Sequence, residues 1–173
     1  MPTQASTARA SSSSKRSAPR RNSSSDAIQL LRADHKKVQG LFDQFHRASG
    51  DGRKSELAQE ICSELKVHTR IEEEIFYPAA RRALKDQDLL DEAAVEHASA
   101  KRLIAQIEDA EPGDEMFDAK VTVLGEYIKH HVKEEQTELF PKLKKTALDL
   151  RALGRQLAER KEALTAETPE MAD

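Results

Sequence analysis

Apolar residues recur at steps of three and four along most of the 173-residue chain, from about residue 25 onward. This spacing places them on one face of an α-helix, so it predicts amphipathic helices rather than strands. Four such segments are separated by short polar breaks, among them SGDG at 49–52 and EPGDE at 111–115. Short connections between similar amphipathic helices are typical of an antiparallel up-down bundle. We therefore predict an all-α fold with a four-helix bundle over residues 26–145.

The same pattern predicts where the helices begin and end. Ser24 or Ser25 is placed to cap the first helix, and the second helix is expected from about Ser55. Proline lacks an amide hydrogen and clashes with the preceding turn. Pro78 and Pro141 are therefore expected to end or bend the second and fourth helices.

A seven-residue step of leucine continues past the last of these prolines, at Leu143, Leu150, Leu157 and Leu164. It predicts a helix within residues 146–173. This helix either packs back on the bundle, continues the fourth helix, or pairs with a second copy of the chain. Gly154 and Lys161 occupy the alternate seam positions, so the coiled-coil signal is weak and a homodimer is only one of the alternatives.

Residues 1–25 differ in composition from the rest of the chain. They contain nine serines, five basic residues and no acidic residue, whereas the remainder contains 23 basic and 31 acidic residues. Such a segment buries too little apolar surface to fold, so we expect a disordered tail. A basic arm for nucleic acid or an acidic partner is less favoured, because the segment has no aromatic residue for base stacking. An organelle transit peptide fits the same composition if the source is eukaryotic.

The overall composition restricts the class of protein further. Cys62 is the only cysteine, which excludes an intramolecular disulfide framework and a cysteine-rich zinc site. No apolar run approaches the length of a membrane span, and no signal-peptide segment is evident. No pattern indicates a nucleophilic triad or a phosphate-binding loop, so hydrolase and kinase activities are not favoured. We expect a soluble, cytoplasmic protein with no membrane partner.

Two eleven-residue stretches share one pattern. HTRIEEEIFYP at 68–78 and HVKEEQTELFP at 131–141 each begin with His, have Glu four residues later and end with Pro. A second pair, DHKKVQGLFDQF from residue 34 and EHASAKRLIAQI from residue 96, has an acidic residue before a His in each copy. The chain is therefore predicted to consist of two helical hairpins of one design.

These patterns place six polar residues on the inner faces of the four helices: His35, His68, Glu72, His97, His131 and Glu135. A single inward His is most often an ordinary core residue. Four of them, with a Glu stacked one turn later in two helices, indicate a metal site. Two buried carboxylates without partners would be costly, and a bound metal removes that cost.

The ligand types indicate the class of metal. Imidazole and carboxylate without thiolate suit iron or manganese. Six ligands are too many for one tetrahedral ion, but they suit two ions that both glutamates bridge. With an additional oxo or hydroxo bridge, two octahedral ions would keep two positions for water, a further side chain or a small ligand.

Residues 26–145 resemble the hemerythrin family, in its HHE cation-binding branch. The resemblance rests on DH at 34–35, EH at 96–97 and the two HxxxE stretches that close with proline. It implies a non-haem centre of two iron ions with an oxo or hydroxo bridge, able to bind dioxygen or a related small ligand. Manganese is the less favoured metal. The resemblance also implies that the six residues named above are the metal ligands.

The chain departs from oxygen-carrying hemerythrins in two places. Those proteins have a fifth His where this chain has Lys101, and HxxxxD in the fourth helix where this chain has HxxxE. One ligand fewer argues against simple oxygen carriage and favours redox reactivity. Tyr127, four residues before His131, is the first choice for an additional ligand or a hydrogen-bond donor to a ligand. Glu64 is expected to orient His68 by a hydrogen bond or to face solvent.

Other polar residues near these motifs are expected to have lesser roles. Asp34 and Glu96 lie about 100° around the helix from the histidines that follow them, so capping or hydrogen bonding to a ligand is expected rather than ligation. Cys62 is expected in or beside the core. Surface positions are expected for His46, His130, Glu73, Glu74 and Glu134.

Three functions remain open from the sequence. The first is a di-iron protein that binds dioxygen or a related ligand for oxygen or redox sensing, or in a stress response. The second is an enzyme, catalase-like in decomposing hydrogen peroxide or active on nitric oxide. The third is a helical interaction protein with a structural metal. The sequence does not decide between binding and turnover.

Overall fold

The computed structural model of the chain describes residues 25–85, 87–111 and 113–167. These residues form helices and no strand: α1 spans Ala27–Arg47, α2 Asp51–Ile71, α3 Tyr77–Ala83, α4 Asp88–Glu108, α5 Phe117–Glu134, α6 Phe140–Leu143 and α7 Leu150–Glu167. Two π-helical segments, π1 (Glu72–Phe76) and π2 (Glu135–Leu139), join α2 to α3 and α5 to α6. The tail expected over residues 1–25 lies outside the described residues, apart from its last residue.

The two predicted hairpins are present as packed helix pairs. α1 packs against α2 and α4 against α5, and contacts of α2 with α4 and of α1 with α5 close the pairs into a bundle. One apolar cluster, which includes Phe42 and Leu57, fills one end of the bundle. A second cluster, which includes Phe76 and Leu157, fills the other end. The prediction of an all-α four-helix bundle is confirmed, and the inward histidines lie between its two apolar clusters.

The first two helices begin at residues other than those expected. Asp26 caps α1 and accepts a hydrogen bond from the backbone N–H of Gln29 at 2.8 Å, while the Gln29 side chain accepts from the Asp26 N–H at 3.1 Å. This reciprocal capping box satisfies two backbone donors, which a serine one residue earlier would not do. α2 begins directly after Gly50, whose φ of +86° few other residues adopt.

Both prolines of the repeated motif lie within continuous helical segments. The chain remains helical through Pro78 to Ala83 and through Pro141 to Leu143. A π-helical turn precedes each proline, and its larger radius relieves the clash between the ring and the preceding turn. The prolines therefore follow a widened turn rather than mark the ends of the helices.

The C-terminal helix α7 packs back on α1, α2 and π1. Leu153, Leu157 and Leu164 are buried in the same cluster as the bundle residues around them. At Gly154 an added Cβ would lie 2.8 Å from the backbone N of Ala27, so glycine permits the close approach of α7 to the start of α1. Of the three alternatives for this helix, packing back on the bundle is the one observed, and most of the leucine seam is covered within the chain.

No helix among the described residues is both long enough and apolar enough to cross a membrane.

Candidate metal centre

The structure brings the six inward residues together in the middle of the bundle. They come from α1, α2, π1, α4, α5 and π2, and each is at most 5% exposed: His35, His68, Glu72, His97, His131 and Glu135. A cluster of this kind between two apolar clusters is shielded from water on both sides. Its polar atoms must therefore find partners within the cluster.

The imidazoles form two pairs that share Glu72. The Nε2 atoms of His35 and His68 are 3.1 Å apart, and those of His97 and His131 are 3.2 Å apart. Glu72 lies between the pairs, with Oε1 3.3 Å from His68 Nε2 and Oε2 3.3 Å from His97 Nε2. Each pair together with Glu72 forms a group of three side chains that could hold a metal ion.

Glu135 spans the same two pairs from the opposite helix. Its Oε2 lies 3.2 Å from His35 Nε2 and 3.8 Å from His131 Nε2. Glu72 and Glu135 are thus related by the repeat, and each presents one carboxylate to both histidine pairs. This is the arrangement expected of two bridging ligands between two adjacent ions.

The donor set fits a pair of cations better than a hydrogen-bonded core. Glu72 Oε1 and Glu135 Oε2 are buried without a hydrogen bond, although each lies beside an imidazole nitrogen. Neighbouring ligands about 2.1 Å from an octahedral ion are separated by about 3.0 Å, close to the spacings between these atoms. A cation between each pair would satisfy both oxygens at once.

The outer nitrogens of the histidines are held by a second ring of polar side chains. His131 Nδ1 lies 2.7 Å from Glu96, His97 Nδ1 3.1 Å from Glu73, and His35 Nδ1 3.2 Å from Gln136. His68 Nδ1 faces Asp34 at 3.5 Å, which is too long for a hydrogen bond. The carboxylates favour a proton on Nδ1 of His97 and of His131, which leaves the Nε2 lone pairs of these two rings directed toward the centre. At His35 the amide nitrogen of Gln136 faces Nδ1.

Two of these outer carboxylates are in turn bound by lysine. Lys101, at the position of the additional histidine of oxygen carriers, donates to Glu73 Oε1 at 2.7 Å. Lys161 from α7 donates to Asp34. Lysine at these two sites therefore acts on the histidines through a carboxylate rather than on the centre directly.

The tyrosine that reaches the centre is Tyr77, which the sequence analysis did not single out. Its hydroxyl lies 3.0 Å from Glu135 Oε1, 3.4 Å from Glu72 Oε2, and 3.3 Å from the Nε2 atoms of both His97 and His131. In an α-helix a residue five positions after Glu72 would point about 140° away from it. The π-helical turn brings it round to the inner face, since this geometry stacks residues five apart.

The two additional candidates named from the sequence lie elsewhere. Tyr127 is 49% exposed, and Leu124 and Ile128 occupy the inner face of α5 at that level. Glu64 binds Lys37 at 2.6 Å rather than His68. The residue in the second repeat that corresponds to Tyr77 is Phe140, which carries no ligand atom.

The remaining polar residues divide between the surface and the outer ring. Asp34 and Glu96 contact histidines rather than the centre, as expected. Glu73 is exposed, as expected, and one of its carboxylate oxygens also contacts His97. Glu74 accepts hydrogen bonds from arginines, His130 contacts Glu134, and His46 is exposed. Cys62 is buried in the core.

Among the protein groups alone, the carboxylates and imidazoles shift one another's protonation. Burial would lower the pKa of His68, but Glu72 and the other nearby carboxylates outweigh it and raise the pKa to about 10. Burial would raise the pKa of Glu72, but His68 and His97 hold it well below its usual range. Burial, with the charges of Glu135 and Glu72, raises the pKa of the Tyr77 phenol well above its usual value. Cations would replace the protons that the imidazoles otherwise hold between these carboxylates.

Comparison with known proteins identifies the fold and the family. A crystal structure of a hemerythrin HHE cation binding domain-containing protein from Mycobacterium kansasii has the same fold, with a TM-score of 0.71 and 24% identity over 83% of this chain and 89% of that one. A DNA nickase of Nostoc sp. is 31% identical over 111 residues, which make up 64% of this chain but 31% of that protein. The family described as Hemerythrin HHE cation binding domain matches residues 26–143. The chain therefore belongs to the hemerythrin HHE cation-binding family.

Proposed function

We propose that the chain holds two iron ions and binds dioxygen or a related small ligand at them, in oxygen or redox sensing or in a stress response. Two buried, orphaned oxygens, Glu72 Oε1 and Glu135 Oε2, carry the proposal. The carboxylates of Glu72 and Glu135 would be shared between a first ion held by His35 and His68 and a second held by His97 and His131. Iron is preferred because the donors are imidazole, carboxylate and phenol without thiolate.

The two metal positions are unequal in the proposed centre. Tyr77 lies where its hydroxyl oxygen could bind the ion at the second position. The equivalent residue at the first position is Phe140, whose ring is parallel to that of His35 with the ring centroids 6.1 Å apart. The second position therefore has five protein ligands and the first has four. We infer that an exogenous ligand binds at the first position, between His35 and His68.

The outer partners support the same assignment. Carboxylates lie 3.1 Å and 2.7 Å from the Nδ1 atoms of His97 and His131. At the first position, His35 is held by the neutral amide of Gln136, and Asp34 faces His68 at the longer distance of 3.5 Å. A carboxylate partner makes an imidazole a stronger donor. The second position would therefore hold its ion more firmly, and the first would exchange ligands more readily.

Iron in such a site supplies reversible binding of small ligands and one-electron chemistry. The protein supplies the surroundings: two apolar clusters exclude water, and the outer ring fixes the orientation of each imidazole. As a ligand of the second ion, Tyr77 would be a phenolate, an oxidisable group whose oxygen lies 3.0 Å from Glu135 Oε1. An oxidisable side chain beside the centre is useful for redox turnover and not required for simple binding.

Tyr77 for this reason favours a second candidate function, an enzyme that decomposes hydrogen peroxide or acts on nitric oxide. A role as an interaction protein with structural metal is less favoured, because the inferred open position would then be unused. We do not propose that the chain nicks DNA, since it spans less than a third of the length of the DNA nickase of Nostoc sp.. A cytoplasmic location stays a prediction. So does a homodimer, which would need a surface other than the buried leucines of α7.

The first experiment is the metal content of the chain purified without a metal-affinity tag. Two irons per chain are expected, with strong loss in His68→Ala and Glu135→Ala but not in His46→Ala, whose side chain is exposed. Equal loss in all three variants would contradict the site. Spectra recorded with dioxygen, and oxygen evolution from peroxide, then distinguish reversible binding from turnover.

A further inference from the structure

A groove of about 720 Å³ runs between α1 and the α5–π2 segment on one side of the bundle. Arg32 and Lys36 line it from α1, and Lys129 and Lys133 line it from α5. Among the described residues no carboxylate lines this groove; Asp43 and Glu126 line the neighbouring depression farther along α1. The Lys and Arg residues of its lining therefore make it a cationic surface, on a chain whose formal net charge is −3.

The cations of the groove are not neutralised by the protein. Lys36, Lys129 and Lys133 make no ion pair with any carboxylate in the described part of the chain. Arg32 lies over the ring of Phe140, 5.9 Å from its centroid, and the same ring stacks on His35. The arginine is thereby held at the end of the groove nearest the centre.

The repeat within the chain provides an internal comparison. The positions that correspond to Lys129 and Lys133 in the first repeat are Lys66 and Arg70. There, Lys66 binds Glu108 at 2.6 Å and Arg70 binds Glu74 at 2.9 Å. Cations in the same places of the same fold are thus paired on one side of the bundle and unpaired on the other.

Sequence differences that follow the repeated glutamate account for part of this asymmetry. Glu73 and Glu74 of the first repeat correspond to Gln136 and Thr137 of the second. Both of these neutral residues line the groove. Glu74 binds Arg70, so Thr137 leaves Lys133, the counterpart of Arg70, without the corresponding carboxylate. Glu73 binds Lys101, whose counterpart is the neutral Gln39.

The groove also adjoins the interior of the bundle. His35 and Val132 line both the groove and a small cavity of about 10 Å³ beside the histidines. A cavity of about that volume holds one water-sized molecule. Of the described residues, these two side chains alone are common to both spaces, so they form the wall between solvent and the first metal position.

We propose that this groove binds small inorganic anions and delivers them past His35 and Val132 to the first metal position. The inference rests on the proposed function for its destination, but the anion site stands on the unpaired cations alone. Cations around a concave surface raise the local concentration of anions and their association rate. Neutral ligands such as nitric oxide gain nothing from this charge.

The first test measures the association rate of azide with the iron-loaded chain by stopped-flow absorbance at low ionic strength. In Lys36→Glu/Lys129→Glu we expect the rate to fall about tenfold or more, with most of its salt dependence lost. The rate for nitric oxide should be unchanged. Thr137→Glu, which introduces the carboxylate found at this position in the first repeat, should also lower the association rate of azide.

The matched control is Lys144→Glu/Lys145→Glu, which makes the same change in net charge at exposed positions outside the groove. Equal slowing of azide in this control, equal slowing of nitric oxide, or no slowing in the groove variant would each overturn the proposal. Val132→Ala should raise the association rates of both azide and nitric oxide, because it thins the wall without a change in charge.

A second test does not depend on iron. Phosphate is titrated into the protein as purified, whatever its metal content, and the backbone amide shifts of groove residues are followed. Saturable shifts at Lys36 and Lys133 that vanish in Lys36→Glu/Lys129→Glu support the anion site. Their absence would overturn it, whereas a chain that binds phosphate but no metal would refute the proposed function alone.

Discussion

The hydroxyl of Tyr77 lies 3.0 Å from Oε1 of Glu135, a residue 58 positions later in the chain. Each of the two residues follows a repeated histidine, Tyr77 by nine positions and Glu135 by four. The contact therefore joins the two halves of the molecule across the centre. It also makes the halves unequal, because the second repeat has Phe140 where the first has Tyr77.

Replacement of Tyr77 by Phe should weaken the second metal position. The variant removes one oxygen donor and gives the first repeat the residue of the second, so the packing volume is kept. We expect iron to dissociate to a chelator about 10–100-fold faster, the range seen when partners of metal ligands are removed. Absorbance of the iron chelate measures the rate directly.

Tyr127→Phe is the matched control, since Tyr127 is the only other tyrosine and is half-exposed. It should leave the dissociation rate unchanged. If Tyr77→Phe behaved in the same way, the phenol would contribute packing and no ligand.

The six central residues could be predicted from the sequence because two regular periods place them. The helical period puts His35 and His97 on inner faces, and the four-residue spacing stacks His68 with Glu72 and His131 with Glu135. The helices remain α-helical as far as Glu72 and Glu135, so both periods apply to all six residues. The structure accordingly brings these six residues together in the middle of the bundle.

The remaining parts of the site depend on a local departure from that period. The π turns begin at Glu72 and Glu135, so positions after them no longer follow the α-helical count. Tyr77 consequently turns inward, whereas a count of four residues back from His131 had favoured Tyr127. The proline ten residues after each of these histidines was the sequence feature that could have indicated the π turns, because a widened turn accommodates proline inside a helix.

Lys161→Met should reduce both stability and metal retention. Lys161 is bound to Asp34, whose other carboxylate oxygen is buried without a hydrogen bond and faces His68. Loss of the lysine leaves a nearly buried charge unpaired, which costs about 1–3 kcal/mol in the free energy of unfolding. The imidazole would also be less firmly oriented, so iron should dissociate about tenfold faster.

Urea unfolding and chelator kinetics measure the two effects of this variant separately. Lys145→Met, at an exposed position, is the control and should change neither. A loss of stability without faster iron release would show that Lys161 holds α7 in place but does not act on His68.

The chain stripped of metal should lose stability as the pH rises from about 6.5 to 10. The pKa of His68 is raised to about 10 in the folded chain, above its ordinary value of about 6.5 when unfolded. The folded state therefore binds this proton more tightly, and the resulting stabilisation is complete below about pH 6.5 and lost as the pH passes the folded pKa. The melting temperature, recorded across this range, should fall.

Iron should weaken this pH dependence, because a cation then occupies the place of the proton between His68 and Glu72. His68→Gln should weaken it as well in the stripped chain, whereas His46→Gln should retain it. A melting temperature that is constant or rises from pH 6.5 to 10 in the stripped chain would contradict the assignment of the shift to His68.

Two glycine substitutions should change stability in opposite directions. In Gly154→Ala the new methyl group would lie 2.8 Å from the backbone N of Ala27, and a backbone atom cannot move aside as a flexible side chain can. We expect α7 to shift and the free energy of unfolding to fall by about 1–3 kcal/mol. Gly40→Ala, within α1 and with no atom within 4 Å of the new methyl group, should raise it by about 0.5–1 kcal/mol, because alanine loses less backbone entropy in a helix. Urea unfolding of both variants measures the difference.

Equal stabilisation by the two would mean that α7 does not approach α1 as closely as Gly154 permits, and that the contact of Lys161 with Asp34 is looser in solution.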